Sequence, residues 1–390
     1  MDPVVIVGLA RTPIGGFLGD LRAISAPNLG AAAVRSALER ARLPGDAVDE
    51  VLMGNVLAAG VGQAPARQAA ILAGLPQSVP CTTVSKVCGS GMKAVMLGHD
   101  IIAAGSGGIV VAGGMESMSN APYLLPRMRA GARLGHAEAL DHMFVDGLED
   151  AYSRNADGSR CLMGAFAEDC ADQFGFTRAD QDAYALTSLE RARRATAEGA
   201  FESEIVPQGD VATDEQPGKA RPEKIPALKP AFRKDGTVTA ANASSISDGA
   251  AALVLMRLSE AERRGLTPLA AIRGLSGHAR APAQFTTAPI GAVETLMARL
   301  GWTVADVDLF EINEAFAVVV LAAMRGLSLP HERVNVHGGA CALGHPIGAS
   351  GARILVTLIA ALHRHGLRRG IATLCIGGGE ATAVAVERLS

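Results

Sequence analysis

An α/β fold in which one strand–helix unit occurs twice, with loops and helices inserted between the copies, is what this sequence predicts. Strand-length apolar segments alternate with helix-length segments at both ends of the chain, the pattern of a parallel sheet with right-handed crossovers. The two ends also echo each other. Cys88-Gly-Ser-Gly, a helix, a strand and Gly113-Gly114-Met115-Glu116 resemble Gly348-Ala-Ser-Gly, a helix, a strand and Gly377-Gly378-Gly379-Glu380, and Asp49 to Asn55 resembles Asp306 to Asn313. Between them, from Met115 to about Ser247, strands become hard to find while arginine, aspartate and proline rise. Composition agrees. The 390 residues are 49% hydrophobic but only 4% aromatic, with 45 glycines, so packing must run through Ala, Val, Leu and Gly. That length predicts two or three structural units.

Taken in order, residues 4–7 read as a buried strand, followed by a turn-rich loop at 10–17. Residues 29–41 have helical spacing and are stopped by Leu43-Pro44-Gly45. A second strand spans 48–56, a short helix 67–73, and a third strand 82–87. The helix of 92–104 and a strand at 108–114 complete the first unit. In the polar middle, 177–198 is the clearest amphipathic helix, opened by Thr177 with Asp180 in its first turn. Residues 250–256 are a strongly apolar strand. The alternation then returns: helix 293–300, strand 307–312, apolar helix 315–327, helix 348–363, and a strand from 371 running into glycines at 377–379.

The net charge of −3 gives no electrostatic case for nucleic acid or an anionic membrane, and no apolar run is long enough to span a bilayer. Val4 to Gly8 already reads as a strand, so no signal peptide is expected. Cysteines 81, 88, 161, 170, 341 and 375 show no CxxC or paired Cys/His spacing. They read as reduced thiols of a cytoplasmic protein, with no disulfide framework and no metal site.

Chemistry gathers where glycines meet strand ends. Cys88 ends an apolar segment and stands before a helix, where the partial positive charge of unpaired N–H groups favours thiolate, the nucleophilic form. Alone, a small buried apolar cysteine accounts for it better. Asn313, His345 and Cys375 sit at comparable places in the second half, and ligands of open α/β sheets bind outside the carboxyl ends of the strands. Each has an ordinary reading: a cap, a loop histidine, a packing residue.

Together they are specific. Val-Cys-Gly-Ser-Gly at 87–91, Asn-Glu-Ala-Phe-Ala at 313–317, Gly-His-Pro-Ile-Gly at 344–348 and Cys-Ile-Gly-Gly-Gly at 375–379 resemble the signature blocks of the thiolases. Arg11-Thr12-Pro13, Gly114 to Ser119 and Asn242 to Ala251 extend the resemblance over essentially the whole chain. It implies two similar α/β halves in a layered αβαβα arrangement. The first half would span 1–118, an inserted loop domain 119–247, a return to the first half 248–272, and the second half 273–390. It also implies acyl transfer between coenzyme A thioesters, with acyl-CoA and CoA as substrates and no other cofactor, in a homodimer or homotetramer.

By the same resemblance Cys88 is acylated with His345 as its base, and Cys375 moves the α-proton. One oxyanion hole combines His345 with a water held by Asn313; the other uses the N–H groups of Cys88 and Gly377. Ser244 lies near the pantetheine, Met163, Phe232, Ala315 and Phe316 line its tunnel, and Phe285 walls the acyl pocket. One departure stands out. Biosynthetic acetoacetyl-CoA thiolases carry a histidine before the Met-Gly of the loop domain, where this chain has Leu162-Met163-Gly164 after a longer 153–161 stretch. A broader acyl range is expected. A ketoacyl synthase of the same superfamily would lack the second cysteine, and a non-catalytic lipid-carrier relative would have lost Cys88, His345 or Cys375.

Overall fold

The computed structural model describes residues 2–389. Its main strands are β1 (Val4–Arg11), β2 (Glu50–Gly54), β3 (Cys81–Val84), β4 (Ile109–Ser117), β5 (Ser247–Arg257), β6 (Ala270–Ala279), β7 (Leu309–Ile312), β8 (Arg369–Ile376) and β9 (Glu380–Arg388). The main helices are α1 (Ala26–Ala41), α2 (Pro65–Leu72), α3 (Ser90–Ala104), α4 (Met163–Phe174), α5 (Arg178–Ala197), α6 (Ala288–Leu300), α7 (Ala317–Leu327) and α8 (Ser350–Arg364).

Hydrogen bonding runs through the sheet in the order β7-β8-β9-β6-β1-β5-β4-β2-β3, with Gly15–Gly16 added on β5. The duplication is explicit in this order. In the first half β3 and β4 flank β2 in parallel, and β5 is antiparallel to both β4 and β1. In the second half β7 and β8 are parallel, and β9 is antiparallel to both β8 and β6. A single parallel bridge, Phe310 to Val334, stands where β3 would be. Within the sheet the halves pair at Val5↔Ala271 and Ile6↔Ala270.

Alternation along β1 shows why five layers form. Val5 and Val7 face α1 through Leu29, Val34 and Leu38, whereas Val4 and Ile6 face the molecule's interior. That interior is filled by α3 and α8: Met92, Val95 and Ile102 meet Ile354, Leu355 and Leu358. Leu52, Val110 and Leu253 close it from the first half, and Leu374, Val384 and Val386 from the second. On the far face α6 and α7 pack Val293, Leu296 and Val320 onto Ile312, Ile371 and Ala385. The order is therefore αβαβα. Each such aliphatic side chain contributes ~1.5–3 kcal/mol when fully buried.

The halves differ at one connection. From β8 to β9 the chain crosses in three glycines, Gly378 and Gly379 having φ of +90° and +88°. The matching step from β4 to β5 takes residues 118–246, which hold α4, α5 and two short hairpins. Helix α5 has the expected box: Asp180 N–H donates to Thr177 Oγ1 at 3.1 Å and Thr177 N–H to Asp180 Oδ2 at 2.8 Å.

Several boundaries move. Strand β1 continues through Arg11, so 10–11 are not loop. Residues 270–272 open β6, which pairs with β9, and so belong with the second half. Strands β6 and β9 have no counterpart in the sequence reading: Gly274 and Gly277 interrupt β6, and alanine fills one face of β9 at 381, 383 and 385.

Candidate active site

The turn before α3 is strained. Val87, a β-branched residue, has φ +46°, a region such side chains enter only when surroundings force them. Four hydrogen bonds do so. Gly89 N–H reaches Lys86 O at 3.0 Å and Ser90 N–H reaches Val87 O at 3.0 Å, while Ser90 Oγ donates to Val87 O at 2.7 Å and accepts from Lys86 N–H at 2.8 Å. Cys88 is thereby presented half-buried at the start of the helix. Its neighbours must be small: a Cβ on Gly91 would lie 2.9 Å from Ala352 N, and one on Gly351 would lie 2.5 Å from Met92 N. The two Gly-Ser-Gly-type turns thus bring the starts of α3 and α8 together.

His345 comes from the loop before α8 and is buried. Ser350 Oγ donates its one proton to Pro346 O at 2.9 Å, so at 2.6 Å from His345 Nδ1 it can only accept. Nδ1 is assigned the imidazole proton on this ground. Nε2 then offers a lone pair, buried and without a partner among the described residues. Burial, then the charge of Arg353, hold the imidazole pKa down to about 3, so the resting ring is neutral. Asn313 lies behind it, Nδ2 3.4 Å from Nδ1.

Cys88, His345 and Gly377 face one cavity of about 390 Å³, and Leu162, Met163, Phe232, Ser244, Phe285, Ala315 and Phe316 line the same space. Phe285, Phe232 and Phe316 form edge-on pairs with ring centroids 5.9 to 6.4 Å apart. A Cβ at Gly377 would meet only Val87 at 3.4 Å and Met163 at 3.7 Å, and so would project into the cavity. Cys375 and Asn313 do not line it. Cys375 is on β8, packed with Phe285, Ala315 and Phe316 directly behind the wall. Burial, then the nearby Cys88, push its thiol well above the usual range.

One expectation is corrected. The helix start does not make Cys88 a resting thiolate. Burial pushes its pKa up to about 11, outweighing the N–H groups of Gly377 and Cys88 that point at the sulfur. Resting Cys88 is a thiol beside a neutral imidazole, and its proton must leave during attack. Alkylation by iodoacetamide should therefore keep accelerating with pH through about 9.5, since thiolate grows tenfold per unit below the pKa. A plateau by about pH 8 would show a normal or lowered thiol instead.

Sequence reasoning missed the wall made by Phe144, Gly147 and Leu148, a π-helical turn in the polar middle of the chain. Ile246 and Ile347 complete that side. The available signal was an apolar Met-Phe-Val…Leu pattern around Asp146-Gly147. Glu116 was missed as well: its carboxylate accepts from Asn55 Nδ2 and from the N–H groups of Val56, Leu57 and Gly348 at 2.8 to 3.1 Å, tying the His345 loop to the first half.

A thiol and a neutral imidazole on an apolar tunnel, with a second thiol behind its wall and the whole carried on a duplicated frame, place the chain among acyl-transferring enzymes that work through a cysteine. Narrowing that class, the thiolase N-terminal domain model matches residues 4–259 and the thiolase C-terminal domain model residues 266–388, and the chain belongs to the thiolase family. It is 51% identical to acetyl-CoA acetyltransferase 1 of Arabidopsis thaliana, over 99% of this chain and 94% of that protein. The acetyl-CoA acetyltransferase of Cupriavidus necator is 50% identical, with both chains covered fully. Among solved structures, the Acat5 thiolase of Ascaris suum in complex with coenzyme A superposes with a TM-score of 0.94 at 44% identity, over 99% of this chain and 100% of that one.

Proposed function

We propose that this chain is an acetyl-CoA C-acyltransferase. It joins acetyl-CoA to acetyl-CoA or a short acyl-CoA, giving a 3-ketoacyl-CoA and CoA, and runs the thiolysis in reverse. The observation that carries this is the placing of Cys88 and of His345, whose buried Nε2 has no partner among the described residues, on one apolar cavity, with a second thiol behind its wall.

The steps balance. Cys88 Sγ attacks the thioester carbonyl as Nε2 of His345 takes its proton, and the C–S bond to CoA breaks. Cys375 gives its proton to the departing CoA sulfur and becomes a thiolate. That thiolate removes an α-proton from the incoming acetyl-CoA; its carbon attacks the acyl-Cys88 carbonyl, and Cys88 leaves, recovering the proton held by His345. The N–H groups of Cys88 and Gly377 suit the oxyanion on the acyl group, while His345 and Asn313 suit that of the enolate. One such donor is worth ~3–4 kcal/mol. Ser244, Met163, Phe232, Ala315 and Phe316 would hold the pantetheine arm.

The free outer edge of β3 and the exposed Tyr123, Leu125, Met128 and Leu134 support self-association as a dimer or tetramer. Six free cysteines suit a reducing compartment such as the cytoplasm. Mixing acetoacetyl-CoA and CoA with the protein should yield acetyl-CoA; failure with every 3-ketoacyl-CoA offered would refute the proposal.

Acyl range follows from the wall. Leu162, Phe285, Phe144 and Leu148 are apolar, and each buried methylene contributes ~0.8 kcal/mol. An apolar pocket separates neighbours differing by one methylene by only ~10–200-fold. Thiolysis of C4 and C5 substrates should fall within that range of each other, with activity extending somewhat further. Strict C4 activity, with C5 undetectable in the same assay, would contradict this account of the wall.

A further inference from the structure

Helix α8 carries two residues one turn apart toward the site. Ser350 holds Nδ1 of His345, and Arg353 reaches Asn313. Arg353 is 2% exposed, in the middle of a helix whose other buried positions are apolar or small. Its guanidinium is unusually underused for a buried group: among the described residues Nε and Nη1 have no hydrogen-bond partner. Nη2 faces Asn313 Oδ1 at 3.5 Å, and Nη1 faces Glu311 Oε2 at 3.5 Å. A buried cation with spare donors is expensive unless it serves something.

The chemistry of the contact fixes a direction. A guanidinium has donors only, so whatever part of the Asn313 amide faces it must be the oxygen. The amide nitrogen then faces His345, which is the orientation seen. With Arg353 absent, the amide is free to flip and turn Oδ1 toward the Nδ1–H of His345, competing with Ser350 for that proton and shifting the ring. Glu311 is buried beside Arg353, its Oε2 3.5 Å from Nη1, and burial pushes its carboxyl up to about 8.

We propose that Arg353 is a positioning residue: it locks the Asn313 amide with Oδ1 toward the guanidinium and Nδ2 toward the His345 ring, so that Nδ1–H stays on Ser350 and the ring keeps its place at the cavity. This rests on the thiolase reading above.

The test is a double-mutant cycle on the full-length protein, measured as thiolysis kcat and KM. Asn313→Ala should lower kcat by ~10²–10³-fold. Arg353→Met should lower kcat by about 10–100-fold, with KM for CoA within about twofold, because the lost interaction acts in the transition state. In the Asn313→Ala background the same change should cost less than about threefold, since its effect passes through the missing amide. Arg353→Lys, whose ammonium also donates to Oδ1, should keep kcat within about tenfold of wild type. If Arg353→Met does not fold, Arg353→Met/Glu311→Gln, which removes both members of the pair, takes its place in the cycle. Losses that multiply across the two backgrounds overturn the proposal, as does a loss in KM alone, or a lysine variant that falls as far as methionine. Absence of thiolysis in the wild type would instead sink the thiolase reading itself.

Discussion

Incubated with acetyl-CoA and digested, the protein should carry an acetyl group on the peptide containing Cys88, and Cys88→Ala should carry none. Turnover in that variant should fall by at least about 10⁴-fold, the scale on which loss of a nucleophile is felt. Six thiols are free, so reactivity must be decided by place. Cys161, Cys170 and Cys375 are buried, and Cys81 and Cys341 are partly open but lie off the cavity. Only Cys88 combines access, a shared cavity with the His345 lone pair, and N–H groups directed at its sulfur. The substitution removes one half-buried sulfur atom, so the far-UV circular dichroism should not change. An acetyl group recovered on Cys341 or Cys81 alone would move the nucleophile elsewhere.

The parts of this site legible in the sequence are those fixed by backbone geometry. Glycines crowd where α3 and α8 meet because a Cβ there would strike main-chain atoms, and that constraint is written as Gly-Ser-Gly and Gly-Ala-Ser-Gly. The duplication was legible for the same reason: both halves end equivalent strands at the same edge. Three things were not. The acidity of Cys88 depends on how deeply three separate segments enclose it, and burial there outweighs the helix start. The Phe144–Leu148 wall lies in a stretch whose periodicity fits neither helix nor strand, since a π-helical turn has neither repeat. Arg353 reads in sequence as a solvated charge on a mostly apolar helix. Only packing α8 between both halves buries it against Glu311 and Asn313.

The second large effect separates the two cysteines. With Cys375→Ala, acetylation of Cys88 should survive, though more slowly: attack on the thioester uses Cys88 and His345 and needs no α-proton, and the departing CoA sulfur can take the proton that His345 accepted from Cys88. Condensation, thiolysis and exchange of acetyl methyl protons with deuterated water should each fall by ~10²–10⁴-fold, the usual contribution of a positioned acid or base. The environment argues for this division. Cys375 is 1% exposed, so bulk solvent cannot easily stand in for it. Burial raises its thiol, which makes its thiolate a stronger base than an ordinary cysteine and better matched to a weakly acidic carbon. The nearby Cys88 raises it further. Cys375→Ser keeps the size and adds a far weaker acid, so it should fail in proton exchange nearly as completely as alanine. If either variant exchanged methyl protons at the wild-type rate, Cys375 would be a packing residue and the α-proton would have to leave by another group.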